Sequence, residues 1–344
     1  MRILSLCLFA LATLGPALLL ILGLALGSSW PYLALAYMAL AALGLDLLIP
    51  LVPSAVPDQE FPAAGVLLVT LGLTCLGLLP LMVWAVAGAS GLSLPASAAL
   101  FMAAGLWFGQ VGHPAAHELI HRNPPLSWLG LAIYSALLFG HHASAHRLVH
   151  HRFVATALDP NSAREGESFY HFMIRAWKGS FVQGYRAETA LRHGRGLHPY
   201  ALYVGIALAS LLLGTAIGGL AGVLVWLGFG LHMGSQILLS DYVQHYGLTR
   251  PMRAGKLVPV GAAHSWNTPH WYSAALMLNA PRHSDHHAHP SRPFTSLRLP
   301  PDAPLLPWPL PLAALIALSP RHWRKKMQPL VRRWAASSEP VAKE

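Results

Sequence analysis

The chain has 344 residues, of which 54% are hydrophobic and only 10% are charged. Soluble domains typically carry charge on about a quarter of their residues, so the composition excludes an ordinary water-soluble protein and indicates a membrane protein. The net charge of +10 does not indicate nucleic-acid binding, because the Lys and Arg residues lie in loops beside apolar stretches. Membrane proteins collect Lys and Arg in this way on their cytoplasmic side.

Two long stretches contain no Lys or Arg, one between Arg2 and Arg122 and one between Arg195 and Arg250. Spanning a bilayer takes about 20 apolar residues. Six segments qualify, at residues 3–27, 31–52, 62–88, 92–113, 199–216 and 219–240. The first is too long for the apolar region of a cleaved signal peptide, so we predict a retained transmembrane helix. The sequence therefore predicts an all-α polytopic membrane protein in which residues 1–344 form one domain, with both termini at the cytoplasmic face.

Three smaller features complete the predicted fold. Residues 126–139 are apolar but too few to span, which favours a re-entrant or core helix. Gly214, Gly218 and Gly222 are spaced by four, a pattern of small residues that lets helices approach closely in lipid. The two cysteines, Cys7 and Cys75, lie in apolar segments, so we expect buried thiols and neither a disulfide framework nor a cysteine-based metal site.

Histidine is the residue type that indicates chemistry, because the chain has 20 of them and nine fall in four short motifs. These are HELIH with His117 and His121, HRLVHH with His146, His150 and His151, HSDHH with His283, His286 and His287, and DYVQHYG with His245. Histidines four residues apart share one face of a helix, and ionisable groups at membrane depth usually mark functional sites. Nine imidazoles exceed what one tetrahedral zinc can bind, so the count predicts two metal ions. Nitrogen ligands without thiolates suit iron, copper or zinc.

Two non-redox interpretations stay open at this point. HELIH also matches the zinc-protease motif, in which two histidines bind zinc and Glu118 would act as general base, but that leaves the other seven histidines unexplained. A histidine-rich metal transporter would place its ligands near the middle of the bilayer along a pathway, whereas these motifs lie at one predicted face.

The motifs HELIHR, HRLVHHRFVATALDPNSAREGESF, DYVQHYGLTR, HSWN and APRHSDHHAHPSRPFTSLR together resemble the bacterial integral-membrane alkane hydroxylases, the alkane 1-monooxygenases. These are related to membrane fatty-acid desaturases and xylene monooxygenases. The resemblance extends over residues 116–298 and includes six spans in matching places. It implies that the nine histidines named above bind two iron ions. It also implies that O2 is used to hydroxylate the terminal carbon of medium-chain n-alkanes, with aryl-methyl hydroxylation or fatty-acid desaturation as the related alternatives.

The resemblance also implies electron partners, because hydroxylation with O2 needs two electrons from outside. Separate rubredoxin and NAD(P)H-dependent rubredoxin reductase are expected, since rubredoxin needs four cysteine ligands and this chain has two cysteines. The loops near Arg147, Arg152, Lys178, Arg186 and residues 324–326 are basic enough to steer an acidic carrier, although membrane topology alone also explains them. The alkane itself is expected to enter from the bilayer.

Several residues around the motifs complete the prediction. Glu118, Asp159 and Asp285 are candidates for carboxylates that accept a hydrogen bond from a ligand imidazole and fix its tautomer. The sequence departs from the resembled family at Ala145 and Gln244, where family members usually carry glutamate, and both changes remove a negative charge near the metals. Histidines outside the motifs, such as His113, His141, His142 and His232, are expected to support the metal ligands or the fold.

Overall fold

A computed structural model describes residues 2–49, 63–253 and 255–338. The predicted end of the second span, at residues 50–52, and the first residue of the third, at 62, lie outside the described residues. Within them the regular structure is helical apart from one short antiparallel pair. That pair joins β1 (Met252–Arg253) to β2 (Lys256–Leu257). The predicted all-α fold is therefore confirmed.

Twelve helices of the described residues follow one another along the chain. They are α1 (Arg2–Leu26), α2 (Trp30–Leu48), α3 (Ala64–Ala89), α4 (Leu94–Ile120), α5 (Leu126–Ala136), α6 (residues 142–153), α7 (Phe169–Arg192), α8 (Pro199–His245), α9 (Trp271–Leu276), α10 (His283–Ala288), α11 (Leu310–Ala317) and α12 (Pro320–Ser338). Two 3₁₀ turns, Ala262–His264 and Phe294–Ser296, lie in the loops before α9 and after α10. Helices α1 to α4 and α8 are apolar and long enough to cross a membrane.

Helix α8 is a hairpin that contains two of the six predicted spans. Its helical geometry breaks at Gly218 and at Gly219, whose φ of 56° is readily adopted only by glycine. Beyond the break the chain returns, so that a Cβ on Gly222 would collide with the carbonyl oxygen of Gly214. Gly214 and Gly222 thus allow close packing, as predicted, but between two arms of a hairpin, while Gly218 forms the turn. The second arm continues to His245, five residues beyond the predicted end of its span.

Helix α4 also extends beyond its predicted end at residue 113, because HELIH continues the membrane helix to Ile120. The short helix α5 lies against it, as expected for an apolar segment too short to span. A Cβ on Gly130 would lie 2.7 Å from the carbonyl oxygen of Ala116, so the missing side chain lets α5 approach the backbone beside His117.

The prediction that both cysteines are buried is half right. Cys75 is buried on α3, but Cys7 is exposed on α1. Helix α1 lies at the edge of the bundle, where Leu11 and Leu18 are also exposed. Apolar surface on a membrane helix can face lipid, so hydrophobicity alone does not predict burial in protein.

Helix α12 covers the end of α8 that carries His245. Its apolar face buries Trp323, which packs against Tyr242 and Tyr246 with ring centroids 5.8 and 5.4 Å apart. Its other face is exposed and basic, with Arg324, Lys325 and Lys326. The helix therefore closes one side of the histidine region with a charged outer surface.

Candidate metal centre

The HELIH motif lies at the end of α4, separated by four residues from a π-helical stretch, Phe108–Gly112. His117 and His121 are four residues apart on the helix, and their ring centroids are 5.1 Å apart. His117 is buried and His121 is half-buried. The predicted common face of this pair is therefore present.

The HRLVHH motif is organised differently, because His146–His150 forms a π-helical turn. In a regular α-helix, residues five apart point about 140° away from each other. The wider π turn instead brings His146 and His151 together, with their Nε2 atoms 2.8 Å apart. His150 turns toward His245, at a centroid distance of 4.8 Å. The π turn thus divides one motif between two groups of histidines, and such turns are frequent at functional sites.

The HSDHH motif is also divided. His283 and His287 lie one turn apart on α10 with Nε2 atoms 3.1 Å apart, and His245 approaches the same His283 nitrogen at 3.1 Å. His286, on another side of the short helix, has its Nε2 3.1 Å from that of His151.

The nine motif histidines therefore gather into two adjoining groups in which the possible ligand atoms lie within 4.8 Å of one another. The five-histidine cluster contains His117, His121, His146, His151 and His286. The four-histidine cluster contains His150, His245, His283 and His287. The groups touch, since the rings of His151 and His287 are 4.6 Å apart between centroids.

Hydrogen bonds at Nδ1 orient the rings of two members of the four-histidine cluster. His150 Nδ1 donates to Asp159 Oδ2 over 2.8 Å, and His245 Nδ1 donates to the carbonyl of His264 over 3.2 Å. The Asp159 carboxylate in turn accepts hydrogen bonds from the hydroxyl of Ser162 over 2.7 Å and from the backbone N–H of Asn161 over 3.0 Å. A proton on Nδ1 leaves the Nε2 lone pair directed into the cluster.

Burial keeps most of these imidazoles neutral, which is the form that binds metals. It lowers the pKa of five motif histidines outside the membrane-spanning segments well below the usual value, with neighbouring histidines adding to the effect. These five are His146, His151, His283, His286 and His287. Burial also lowers the pKa of His150, but the Asp159 carboxylate outweighs it and raises that pKa above its usual value.

The donor set fits a pair of transition-metal ions. His146 Nε2 faces two other Nε2 atoms at 2.8 Å, and His283 Nε2 faces two at 3.1 Å. A neutral imidazole carries only one N–H proton. The converging Nε2 atoms therefore cannot all pair with one another through hydrogen bonds, and their unshared lone pairs are available to a metal ion. His121 Nε2 and His150 Nε2 have no hydrogen-bond partner among the described residues. Nitrogen ligands without thiolates, in two groups, match iron, copper or zinc.

The other predicted carboxylates contact the loop after α10. Glu118 accepts a hydrogen bond from the amide of Phe294 over 3.1 Å. Asp285 binds the guanidinium of Arg292 at 2.5 and 2.7 Å and accepts from His289 over 3.0 Å. Both therefore tie a histidine motif to residues 289–298.

Ala145 and Gln244, the two positions that depart from the resembled family, have uncharged side chains. Gln244 donates to the carbonyl of Ala280 over 3.1 Å and accepts from the hydroxyl of Ser240 over 2.8 Å. Ala145 is buried and lies beside Gly184 of α7. Two histidines outside the motifs have polar partners: His113 hydrogen-bonds Tyr134 at 2.8 Å, and His141 hydrogen-bonds Ser180 at 3.3 Å.

A cavity of about 440 Å³ adjoins both clusters, within the range of small-molecule sites, roughly 300–1,000 Å³. Four motif histidines line one end of it: His117, His146, His283 and His286. The remaining wall comes mainly from α4, the second arm of α8, α11 and the loop before α10.

Asp241 was not among the residues predicted from the sequence. It is buried, lines this cavity, and accepts a hydrogen bond from the side-chain amide of Asn161 over 2.6 Å. Through Asn161 it is linked to Asp159 and so to His150. A signal was available, because Asp241 is the single acidic residue between 199 and 245 and directly follows the predicted span at 219–240. Acidic residues at membrane depth are by default functional candidates.

Comparison with known proteins gives a consistent result. The fatty acid desaturase family matches residues 91–299, more than half of the chain. An alkane 1-monooxygenase of Ectopseudomonas oleovorans is 35% identical over 64% of this chain, which spans 57% of that relative's length. Alkane 1-monooxygenase 2 of Pseudomonas aeruginosa is 30% identical over 91% of this chain and 87% of its own length. The xylene/toluene monooxygenase hydroxylase component of Pseudomonas putida is 29% identical over 91% of this chain and 86% of its own length.

These matches include all four histidine motifs within the family region or the longer alignments. The apolar helices agree with a multi-pass membrane protein. The chain therefore belongs to the fatty acid desaturase family and, within it, to the group that contains the alkane 1-monooxygenases.

Proposed function

We propose that the two histidine clusters bind two iron ions and that the protein uses O2 to hydroxylate the terminal carbon of medium-chain n-alkanes. The observation that carries this proposal is the gathering of nine imidazoles into two adjoining clusters at one end of a cavity. The names of the relatives support the reaction class. Bound iron would supply the activation of O2 and the transfer of one oxygen atom to carbon.

The protein's own residues would hold and shield this chemistry. Asp159 and the His264 carbonyl orient His150 and His245, so that ligand nitrogens are fixed before a metal binds. The cavity wall brings a methyl group to the histidines and excludes water. One C–H bond of that methyl group breaks and a C–O bond forms, while the second atom of O2 leaves as water with two electrons and two protons.

Entry from the bilayer is supported by the outer side of the cavity. Leu315 and Leu318 line it and are also exposed, with 61% and 39% of their surface accessible. An alkane dissolved in the lipid would reach the cavity past these side chains of α11 and the turn that follows it.

We further propose that the electrons come from rubredoxin and an NAD(P)H-dependent rubredoxin reductase. The exposed basic face of α12, with Arg324, Lys325 and Lys326, supports an acidic carrier, because complementary charge speeds encounter. The same charges support an inner-membrane orientation with the histidines on the cytoplasmic side. A topology reporter fused after Gly196 is expected to lie in the cytoplasm under this orientation and in the periplasm under the opposite one.

The function is tested by product analysis. Membranes that contain the protein, supplied with rubredoxin, its reductase, NADH and octane, are expected to form 1-octanol whose oxygen derives from O2. Oxygen derived from water, or desaturation of an acyl chain in place of hydroxylation, would contradict the proposal. Hydroxylation of xylene methyl groups in preference to octane would favour aryl-methyl hydroxylation, the activity in the name of the Pseudomonas putida relative.

A further inference from the structure

The cavity has a polar region far from the histidine clusters, formed by His232, Gln110 and Gln236. All three lie on membrane-crossing helices, Gln110 on α4 and the other two on the second arm of α8. A cavity that takes only alkanes has no use for such groups, and polar side chains within a membrane usually mark a pathway or a binding site.

Two glycines of α4 make room for the α8 side chains. A Cβ on Gly105 would overlap the imidazole of His232, and a Cβ on Gly109 would overlap the amide of Gln236. Gln236 is held there, because its Nε2 donates to the carbonyl of Gly105 over 2.8 Å. Helix packing therefore accounts for Gln236.

Hydrogen bonds within the protein do not account for the other two polar groups, although His232 Nδ1 itself packs against Gly105. His232 Nδ1 and Gln110 Oε1 are buried atoms without a hydrogen-bond partner among the described residues. The imidazole of His232 rests on the ring of Phe101, with 6.3 Å between centroids. A buried polar atom without a partner costs free energy that a ligand with a hydrogen-bonding group would offset.

The separation between this polar region and the histidines suits an extended chain. Gln110 precedes His117 by seven residues, or about 10 Å of helix. Gly105, against which His232 lies, precedes it by twelve residues, or about 18 Å. The cavity lining also includes Leu106, Leu239 and Met277, which give an extended chain apolar contacts, together with the polar side chains of His113 and Ser240.

The charge of the cavity restricts the polar group that it can bind. Among the described residues that line it there is no Lys or Arg, whereas Glu118 and Asp241 are acidic. A carboxylate head group would be buried there without a cation, at a high desolvation cost. A neutral hydroxyl can donate to one unpartnered atom and accept from another group nearby.

We propose that His232 and Gln110 form a polar subsite that binds the hydroxyl of a medium- to long-chain primary alcohol, with its methyl end at the histidine clusters. This rests on the proposed function, since the product of the first hydroxylation re-enters in the opposite direction. One C–H bond of the remaining methyl group breaks, a C–O bond to one atom of O2 forms, and the other atom leaves as water with two electrons and two protons from the same carrier. The product is an α,ω-diol.

The test compares 1-dodecanol with dodecane through the ratio of their kcat/KM values. The wild type is expected to convert 1-dodecanol to 1,12-dodecanediol, and His232→Leu or Gln110→Leu to lower the alcohol-to-alkane ratio about tenfold, the effect of one lost hydrogen bond. His232→Asn, which keeps a donor and an acceptor, is expected to recover part of the ratio. Leu231→Met is the matched control, because Leu231 is the exposed neighbour of His232, and should leave the ratio unchanged.

A second measurement does not depend on turnover. In lipid nanodiscs, 1-dodecanol should raise the Tm of the wild type more than dodecane does, and His232→Leu should remove that difference. An unchanged ratio and an unchanged Tm difference in His232→Leu would overturn the subsite. If neither substrate is oxidised, the proposed function fails, while the Tm difference still decides whether the subsite binds the alcohol.

Discussion

The five-histidine and four-histidine clusters contain the same side chain but differ in their surroundings. All members of the four-histidine cluster are buried, and two of them donate to fixed acceptors, Asp159 and the His264 carbonyl. In the five-histidine cluster His121 and His151 are half-buried. The Nδ1 atoms of His146, His151 and His286 have no hydrogen-bond partner among the described residues, and in the four-histidine cluster the same holds for Nδ1 of His287.

The clusters also differ in their contact with the cavity. Three members of the five-histidine cluster line it, against one of the other cluster, His283. We therefore expect the enclosed four-histidine cluster to hold one metal ion firmly. We expect the more open five-histidine cluster to contact O2 and substrate. Predictions from this comparison can be ranked by expected effect.

The largest effect is expected from removing one ligand of each cluster. His150→Ala and His286→Ala should each lower octane hydroxylation more than about 100-fold, beyond the 10–100-fold typical of losing an outer hydrogen-bond partner. Each should also lose bound iron while inserting normally in the membrane, since neither residue lies on a membrane-crossing helix.

His171→Ala is the control for these variants, because His171 is an exposed histidine of α7 that pairs with Glu167. Its iron content and activity should match the wild type. Full activity of His150→Ala would contradict the anchoring role of the four-histidine cluster.

A smaller effect is expected at Asp159, which would act on a bound iron ion only through its hydrogen bond to His150. Asp159→Asn keeps the shape of the side chain but removes the charge that favours a proton on His150 Nδ1, so iron affinity should fall about 10–100-fold. Competition with a chelator measures this fall. Glu167→Gln, at a carboxylate that pairs with Arg175, should leave it unchanged. Equal iron loss in both variants would mean that Asp159 only stabilises the fold.

Much of this arrangement follows from the sequence. The absence of Lys and Arg between Arg2 and Arg122 predicts the first four helices, and both arms of α8 correspond to predicted spans. The spacing of the histidines selects eight of the nine that the fold brings together, while His245 stands alone just beyond the last predicted span. These features are local, so short-range patterns reveal them.

The division into five and four could not be predicted, because it depends on tertiary structure. The spacing of HRLVHH suggests that His146 and His150 act together, but the π turn pairs His146 with His151 instead. The link from Asp241 through Asn161 joins residues 80 positions apart. No periodicity in the sequence encodes such contacts.

The iron content of the purified wild-type protein tests the central claim most directly. About two iron atoms per chain are expected, bound by nine histidines in two clusters, together with loss of octane hydroxylation when a chelator removes them. A protein that binds a single zinc ion and is fully active with zinc alone would contradict the two-iron centre and the redox function derived from it.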